Sequence, residues 1–233
     1  MPRALTPATL KPATLKPAAL KPVYWDDATR ALAKSDRVLR KLIRAHPDIH
    51  LTRRNDAFTT LARAIVGQQI SVKAAESIWQ RFIGTVAAGM KAAGRTRLDP
   101  LAVLAVDETT LRRCGLSGRK VEYLRDLASH FASGKLDPKA WRKMDDEALI
   151  AALVEVKGIG RWTAEMFLMF HELRADVLPV DDIGLQRAIA LHYHDGNRPT
   201  AKAMHDLALA WRPYRSVATW YLWRSLDPIP VEY

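Results

Sequence analysis

A single cysteine, Cys114, stands in a chain of 233 residues. An internal disulfide is therefore excluded, as is any zinc or iron–sulfur centre built on several thiolates. No apolar run approaches the ~20 residues needed to span a bilayer, and the first residues carry no signal-peptide core. The expectation is a soluble, cytoplasmic protein with no membrane partner. Acidic residues are also in deficit: 25 Asp and Glu face 36 Lys and Arg, for a net charge of +11 and a pI near 9.9. That excess points to a polyanionic partner without separating DNA from RNA or a membrane surface. No alternating apolar and polar run of useful length occurs, which argues against a β-rich fold.

What is present first is a basic repeat. Prolines at 2, 7, 12, 17 and 22 punctuate residues 1–22, Leu-Lys-Pro recurs three times, and Arg3, Lys11, Lys16 and Lys21 have no acid among them. Such a segment holds too little apolar surface to offset its ordering entropy, so an extended, unfolded tail is expected. It reads equally as a loose polyanion tether or a merely solubilising start.

From residue 23 to 233 the pattern is helical almost throughout. Asp27, Asp56, Ser71, Asp107, Asp145, Asp182 and Thr200 stand where helices can begin, each ahead of apolar residues at three-to-four-residue spacing. Helices are predicted over 26–45, 56–67, 71–84, 100–106, 108–114, 118–133, 145–156, 161–171, 182–194, 200–211 and 214–225. Glycines at 84, 89, 94 and 134 and prolines at 47, 100 and 138 should separate them. The fold class is all-α, with two helical lobes expected: a central one over about 52–168, and a second from about 23–51 and 169–233.

The most informative stretch is Val154-Glu155-Val156-Lys157-Gly158-Ile159-Gly160-Arg161-Trp162-Thr163-Ala164-Glu165, followed by Leu178-Pro179-Val180-Asp181-Asp182-Ile183. Gly-x-Gly between two helical patterns allows a tight reversal and leaves amide N–H groups at the start of the second helix, where the dipole favours an anion such as a phosphate. The unit reads helix, hairpin, helix.

This hairpin with its downstream aspartate resembles the helix-hairpin-helix superfamily of DNA base-excision glycosylases. Gly158-Ile159-Gly160-Arg161-Trp162-Thr163-Ala164, Leu178-Pro179-Val180-Asp181-Asp182 and Trp211-Arg212-Pro213-Tyr214-Arg215-Ser216 are similar to the 3-methyladenine DNA glycosylase II family within it. The likeness covers roughly residues 50–226. It implies a DNA repair enzyme of two helical lobes whose hairpin and aspartate meet at the cleft between them. The β-rich domain that begins many type II relatives is not expected here, since only the basic tail and one predicted helix precede the Ala57-to-Gln69 segment. Implied too are a monomer, no cofactor, and duplex DNA containing alkylated bases as partner.

The resemblance also assigns roles. Asp182, five residues before Arg187, matches the essential aspartate, whose carboxylate stabilises positive charge developing on the sugar and orients water; taken alone it reads first as an ordinary helix N-cap, and the hairpin reverses that preference. Trp162 occupies the position where bifunctional relatives carry a Schiff-base lysine, so water is the expected nucleophile and no lyase activity is expected. Lys157 precedes the hairpin and should not substitute. An indole face also suits the cationic bases 3-methyladenine and 7-methylguanine, an attraction of about 0.5 to 2 kcal/mol. Trp223 matches a second pocket tryptophan, with core packing as the alternative, and Gln68 and Met166 complete the implied pocket.

Gly67-Gln68-Gln69-Ile70-Ser71 is similar to the family's base-flipping loop, which makes Gln69 the wedge that fills the emptied stack; a plain helix–helix turn capped by Ser71 is the other reading. Gly158, Gly160, Arg161 and Thr163 are the expected phosphate contacts, with Arg212, Arg215 and Arg119-Lys120 as further candidates. The family likeness implies a monovalent cation on the 157–160 hairpin only when DNA is bound, and no metal in the free protein. His192 and His194 do not share a helical face and read as surface residues. Cys114 reads as a small buried residue. Two rival functions stay open: excision of deaminated or mismatched bases on the same scaffold, and non-catalytic DNA binding.

Overall fold

The computed structural model describes residues 21–53, 56–92 and 98–226, and the basic tail expected over 1–22 lies almost wholly outside them. Among the described residues the secondary structure is helical, without strands. The chain runs α1 (Trp25–Ser35), α2 (Arg37–Ala45), α3 (Ala57–Gly67), α4 (Val72–Ala92), α5 (Pro100–Ala105) and α6 (Glu108–Arg113). It continues with α7 (Gly118–Ala132), α8 (Asp146–Val154), α9 (Arg161–Phe170), α10 (Ile183–Tyr193), α11 (Ala201–Ala208) and α12 (Arg215–Arg224). Short 3₁₀ turns occupy Trp141–Lys143 and Leu209–Trp211; the first has no counterpart in the sequence pattern, and the second ends what was expected as one helix over 200–211.

Most helices begin where a side chain takes over an orphan amide. Asp56, Asp107, Asp145, Asp182 and Thr200 each accept from a backbone N–H of the following first turn, and Ser71 accepts from Ala74 N. Asp27 does not open a helix: α1 starts two residues earlier, with Asp26 and Asp27 in its first turn against the helix dipole.

Two further expectations are corrected. Residues 26–45 are two helices rather than one, because Asp36 is extended and its Oδ1 accepts from Val38 N and Leu39 N, a local bond that competes with helix continuation. Oδ2 of the same carboxylate accepts from Tyr193 Oη at 2.8 Å and Trp211 Nε1 at 3.0 Å. Gly84 and Gly89 do not interrupt α4. Gly84 is exposed, and its neighbours Phe82 and Val86 are fully buried, so packing outweighs the glycine's entropic cost of ~1 kcal/mol. Gly94 lies outside the described residues.

Packing forms two neighbourhoods on one continuous core. In one, α7 packs on α3, α5 and α6, α4 on α3, and α9 on α8 and α3; in the other, α12 packs on α1, α2 and α10. The loop from α9 to α10 is held by both. Arg174 donates to the carbonyl of Trp141, and Arg215 at the start of α12 pairs with Asp176 at 2.8 Å. Ser216 Oγ accepts from Val177 N, and Ser216 N donates to the Ala175 carbonyl. No described helix is long and apolar enough to cross a membrane.

Asp36 joins α2 to Tyr193 and Trp211, both far away in sequence. Asp36→Ala should cost about 3 kcal/mol, combining a lost cap with a buried and a half-buried donor left unpaired. Urea unfolding measures it; a loss below about 1 kcal/mol would mean that the Tyr193 and Trp211 bonds add nothing beyond the cap.

Candidate active site

The hairpin forms as its residue types require. α8 ends at Val154, the chain turns through residues 155–160, and α9 begins at Arg161. Val156 and Ile159 are buried and tie the turn inward, with Val156 N donating to Leu153 O and Ile159 N to Val156 O. Gly158 has φ +80, a backbone that L side chains rarely adopt. A Cβ there would also lie 2.1 Å from Cδ2 of Tyr123. Gly160, the N-cap of α9, differs: its φ is −90, its cap lacks a side-chain hydrogen bond, and a Cβ would meet nothing within 4 Å. The first-turn amides of α9 thus face outward from an uncapped helix start, with Thr163 half-buried beside them.

Trp162, in the first turn of α9, is 38% exposed, and its indole Nε1 donates to Asp182 Oδ2 at 2.9 Å. Asp182, only 7% exposed, caps α10 through Leu185 N to Oδ1 at 2.6 Å. Trp223 Nε1 donates to that same Oδ1 at 2.8 Å. One buried carboxylate therefore collects a backbone amide and two indole N–H groups from three helices. Cap and site role coincide in Asp182, and pocket and packing coincide in Trp223, which is buried against Phe170 in a parallel stack with centroids 5.9 Å apart. Asp181 and Arg187 are exposed. Met166, one turn along α9 from Trp162, is buried.

Gly184 and Phe170 escape a reading of the sequence. A Cβ on Gly184 would come within 3.1 Å of Asp182 Oδ1 and 3.2 Å of the Trp223 ring, so its bare α-carbon makes room for their bond. Nothing in the local pattern marks it, since its backbone is not in the left-handed region that singles out glycine elsewhere in the chain. Phe170 could have been found as an aromatic two turns beyond Trp162 on the same helix.

Gln68 reaches across to the hairpin, its Nε2 donating to the Gly158 carbonyl at 2.8 Å, rather than pointing freely into a pocket. Gln69 is exposed at φ +58 in the loop between α3 and α4, beside exposed Ile70.

The basic candidates are divided. Arg161 directs its guanidinium into two carboxylates: NH1 and NH2 bond Glu147 at 2.8 and 2.6 Å, and Nε bonds Glu165 at 3.0 Å. Arg215 is spent on Asp176. Arg119 and Arg212 are exposed, whereas Lys120 donates to the Val66 carbonyl at 2.7 Å. Lys157 is paired with Glu122 at 2.6 Å. A cavity of about 660 Å³ lies on the Arg161 side of α9, lined by Glu147, Glu165 and Asp176 among others. Asp182 and Trp162 are not part of its wall. Cys114 is buried with Sγ 3.2 Å from Thr85 Oγ1. His192 is half-buried rather than a surface residue, its Nε2 at 2.8 Å from Ser225 Oγ.

Comparison with known proteins places this geometry. Residues 62–213 match the family described as HhH-GPD superfamily base excision DNA repair protein. DNA-3-methyladenine glycosylase 1 of Schizosaccharomyces pombe is 32% identical over 173 residues, covering 74% of this chain and 73% of that protein. The crystal structure of a Bacillus halodurans DNA-3-methyladenine glycosidase superposes with a TM-score of 0.77 at 35% identity, covering 86% of this chain and 89% of the other. The Schizosaccharomyces pombe 3-methyladenine DNA glycosylase in complex with abasic DNA does so with a TM-score of 0.72 at 29% identity, covering 88% of this chain and 100% of that one.

Glu165 supplies a pH test of the hairpin's first turn. Burial pushes its carboxyl up to about 7, against the opposing pull of Arg161. Because the folded value is raised, the stability linked to it is full below about pH 4.5 and is lost as pH rises through about 7. Glu165→Gln should flatten the fall in urea midpoint between pH 5 and 7.5. An unchanged slope in the variant would mean that other groups carry it.

Proposed function

We propose, starting from the fact that this chain belongs to the HhH-GPD superfamily of base excision DNA repair proteins, that it hydrolyses the N-glycosidic bond of alkylated purines such as 3-methyladenine and 7-methylguanine in duplex DNA. The observation that carries this reading is the Asp182 carboxylate, buried yet held by the indole N–H groups of Trp162 and Trp223 beside the hairpin. DNA binding alone requires no such group, and burying a carboxylate is costly unless its partners are in place.

In this mechanism Gln69 enters the stack as the target nucleotide swings out. The cationic base meets the aromatic surface of Trp162 and Trp223, with Met166 behind. As the bond from C1′ to the base nitrogen lengthens, both electrons leave with the base and positive charge gathers on the sugar. Asp182 stabilises that charge from a fixed position, which avoids reorganisation at the moment of reaction. Water adds to C1′ and passes a proton to the Asp182 carboxylate. Alkylation has already made the base a good leaving group, so a separate general acid is not required.

The amides of Gly158, Gly160 and the α9 start, with Thr163, face the phosphate. Gly160 fits a close backbone approach from outside, because in the free protein neither its φ nor its surroundings demand glycine. A monovalent cation on hairpin carbonyls fits if it draws on carbonyls other than that of Gly158, which Gln68 already engages. Arg161 contributes by bracing α9 on α8 through Glu147, leaving the exposed Arg119 and Arg212 as better backbone contacts. With tryptophan at position 162 and Lys157 in an ion pair, the hairpin offers no free amine, among the described residues, to attack C1′.

The test is a panel of duplexes carrying 7-methylguanine, hypoxanthine or a mismatch, assayed for free base. Release from the methylated duplex should lead the neutral lesions by about tenfold, the order of a desolvated cation–π contact. Borohydride should trap no covalent adduct. Equal rates on all three would favour the deaminated-base rival, and binding without any release would favour a non-catalytic protein.

A further inference from the structure

One flank of α7 touches the hairpin and the end of the helix that leads into the wedge loop, the two segments that the proposed function brings to DNA. Its opposite side is locked into the core: Val121, Leu124, Leu127 and Ala128 are buried, and the helix packs on α3 and α5. Lys120, Tyr123 and Asp126, three residues apart, fall along the other flank. Lys120 Nζ donates to the carbonyl of Val66, in the last turn of α3 and three residues before Gln69. The Tyr123 ring lies over Gly158 so closely that a Cβ there would stand 2.1 Å away. Asp126 Oδ2 accepts from Lys157 N at 2.9 Å, and neighbouring Glu122 pairs with the Lys157 side chain. Gln68 closes the circuit by donating to the Gly158 carbonyl.

We propose that this flank of α7 is a strut that fixes the loop at 67–71 relative to the hairpin at 155–160, with Lys120 and Tyr123 as positioning residues that couple insertion into the stack to the grip on phosphate. The inference rests on the reading of Gln69 and the hairpin given above. Lys120 is partly buried, and the desolvation that lowers its pKa marks an ammonium directed into the protein more than toward solvent. Its bond to a carbonyl at the C-terminal end of α3 is favoured by the helix dipole. Gly158 accordingly serves twice: its φ makes the turn, and its missing side chain lets the strut approach.

Affinities for an undamaged duplex and for the same duplex with a tetrahydrofuran abasic-site analogue test the strut. The first needs the hairpin alone; the second needs hairpin and wedge together. Tyr123→Ala and Lys120→Met should each lower the preference for the abasic duplex at least fivefold, because the wedge is no longer held in register. Tyr123→Phe should keep the wild-type preference, since the ring and not the hydroxyl covers Gly158. Arg119→Met, which removes the same charge one residue away, should weaken both duplexes equally and leave the ratio intact. If Tyr123→Ala unfolds, Lys120→Met decides alone. A wild-type protein that prefers the abasic duplex, with variants that prefer it as strongly, overturns the strut while leaving the wedge reading standing; a wild-type protein with no preference overturns both.

Discussion

Two indole N–H groups and one backbone amide converge on the Asp182 carboxylate, and much of the molecule is arranged to make that convergence hold. A carboxylate so buried is tolerable only if its lone pairs are met. The donors come from positions 162, 185 and 223, on α9, α10 and α12. Each helix must therefore be registered against the other two. The Arg215–Asp176 pair and Ser216 fasten the start of α12 to the loop that leads into α10. Phe170 and Trp223, stacked in parallel, fasten α12 to the end of α9. Of the three donors only Trp162 is substantially exposed.

Three glycines around the site illustrate how differently one residue type can be used. Gly158 is needed for its backbone angle and for the Tyr123 ring above it. Gly184 has an ordinary helical backbone and is needed only for space, where the Trp223 indole meets Asp182. Gly160 meets neither demand within the protein, which leaves room for the phosphate approach proposed above. A substitution at each would be felt through turn strain, through carboxylate placement and through DNA contact respectively.

Local signals made much of this legible from sequence. Helix starts followed from capping side chains, and the hairpin from Gly-x-Gly between amphipathic runs. The meeting of Trp162, Asp182 and Trp223 was implied by ordered motifs, although spacing could not show that both tryptophans act through their N–H groups. What stayed hidden depends on partners distant in sequence. Asp36 splits α1 from α2 while accepting from Tyr193 and Trp211, more than 150 residues away. Arg161 and Arg215 read from sequence as phosphate contacts, and their pairs with Glu147 and Asp176 arise only once the chain has folded. That Gln68 donates to Gly158 O was equally hidden, because the motif says nothing about where that carbonyl would lie. Gly84 looked like a break, since local propensity cannot weigh the burial of Phe82 and Val86 beside it.

The most direct measurement is single-turnover release of 7-methylguanine from duplex DNA by the wild-type protein and by Asp182→Asn. Asparagine keeps the helix cap and nearly the same shape while removing the negative charge and, with it, the oxygen that accepts from Trp162 Nε1. The account predicts release slowed by about 10² to 10³, the scale of a lost electrostatic contact to a transition state, with binding to an abasic-site duplex largely retained. Release at the wild-type rate would contradict it.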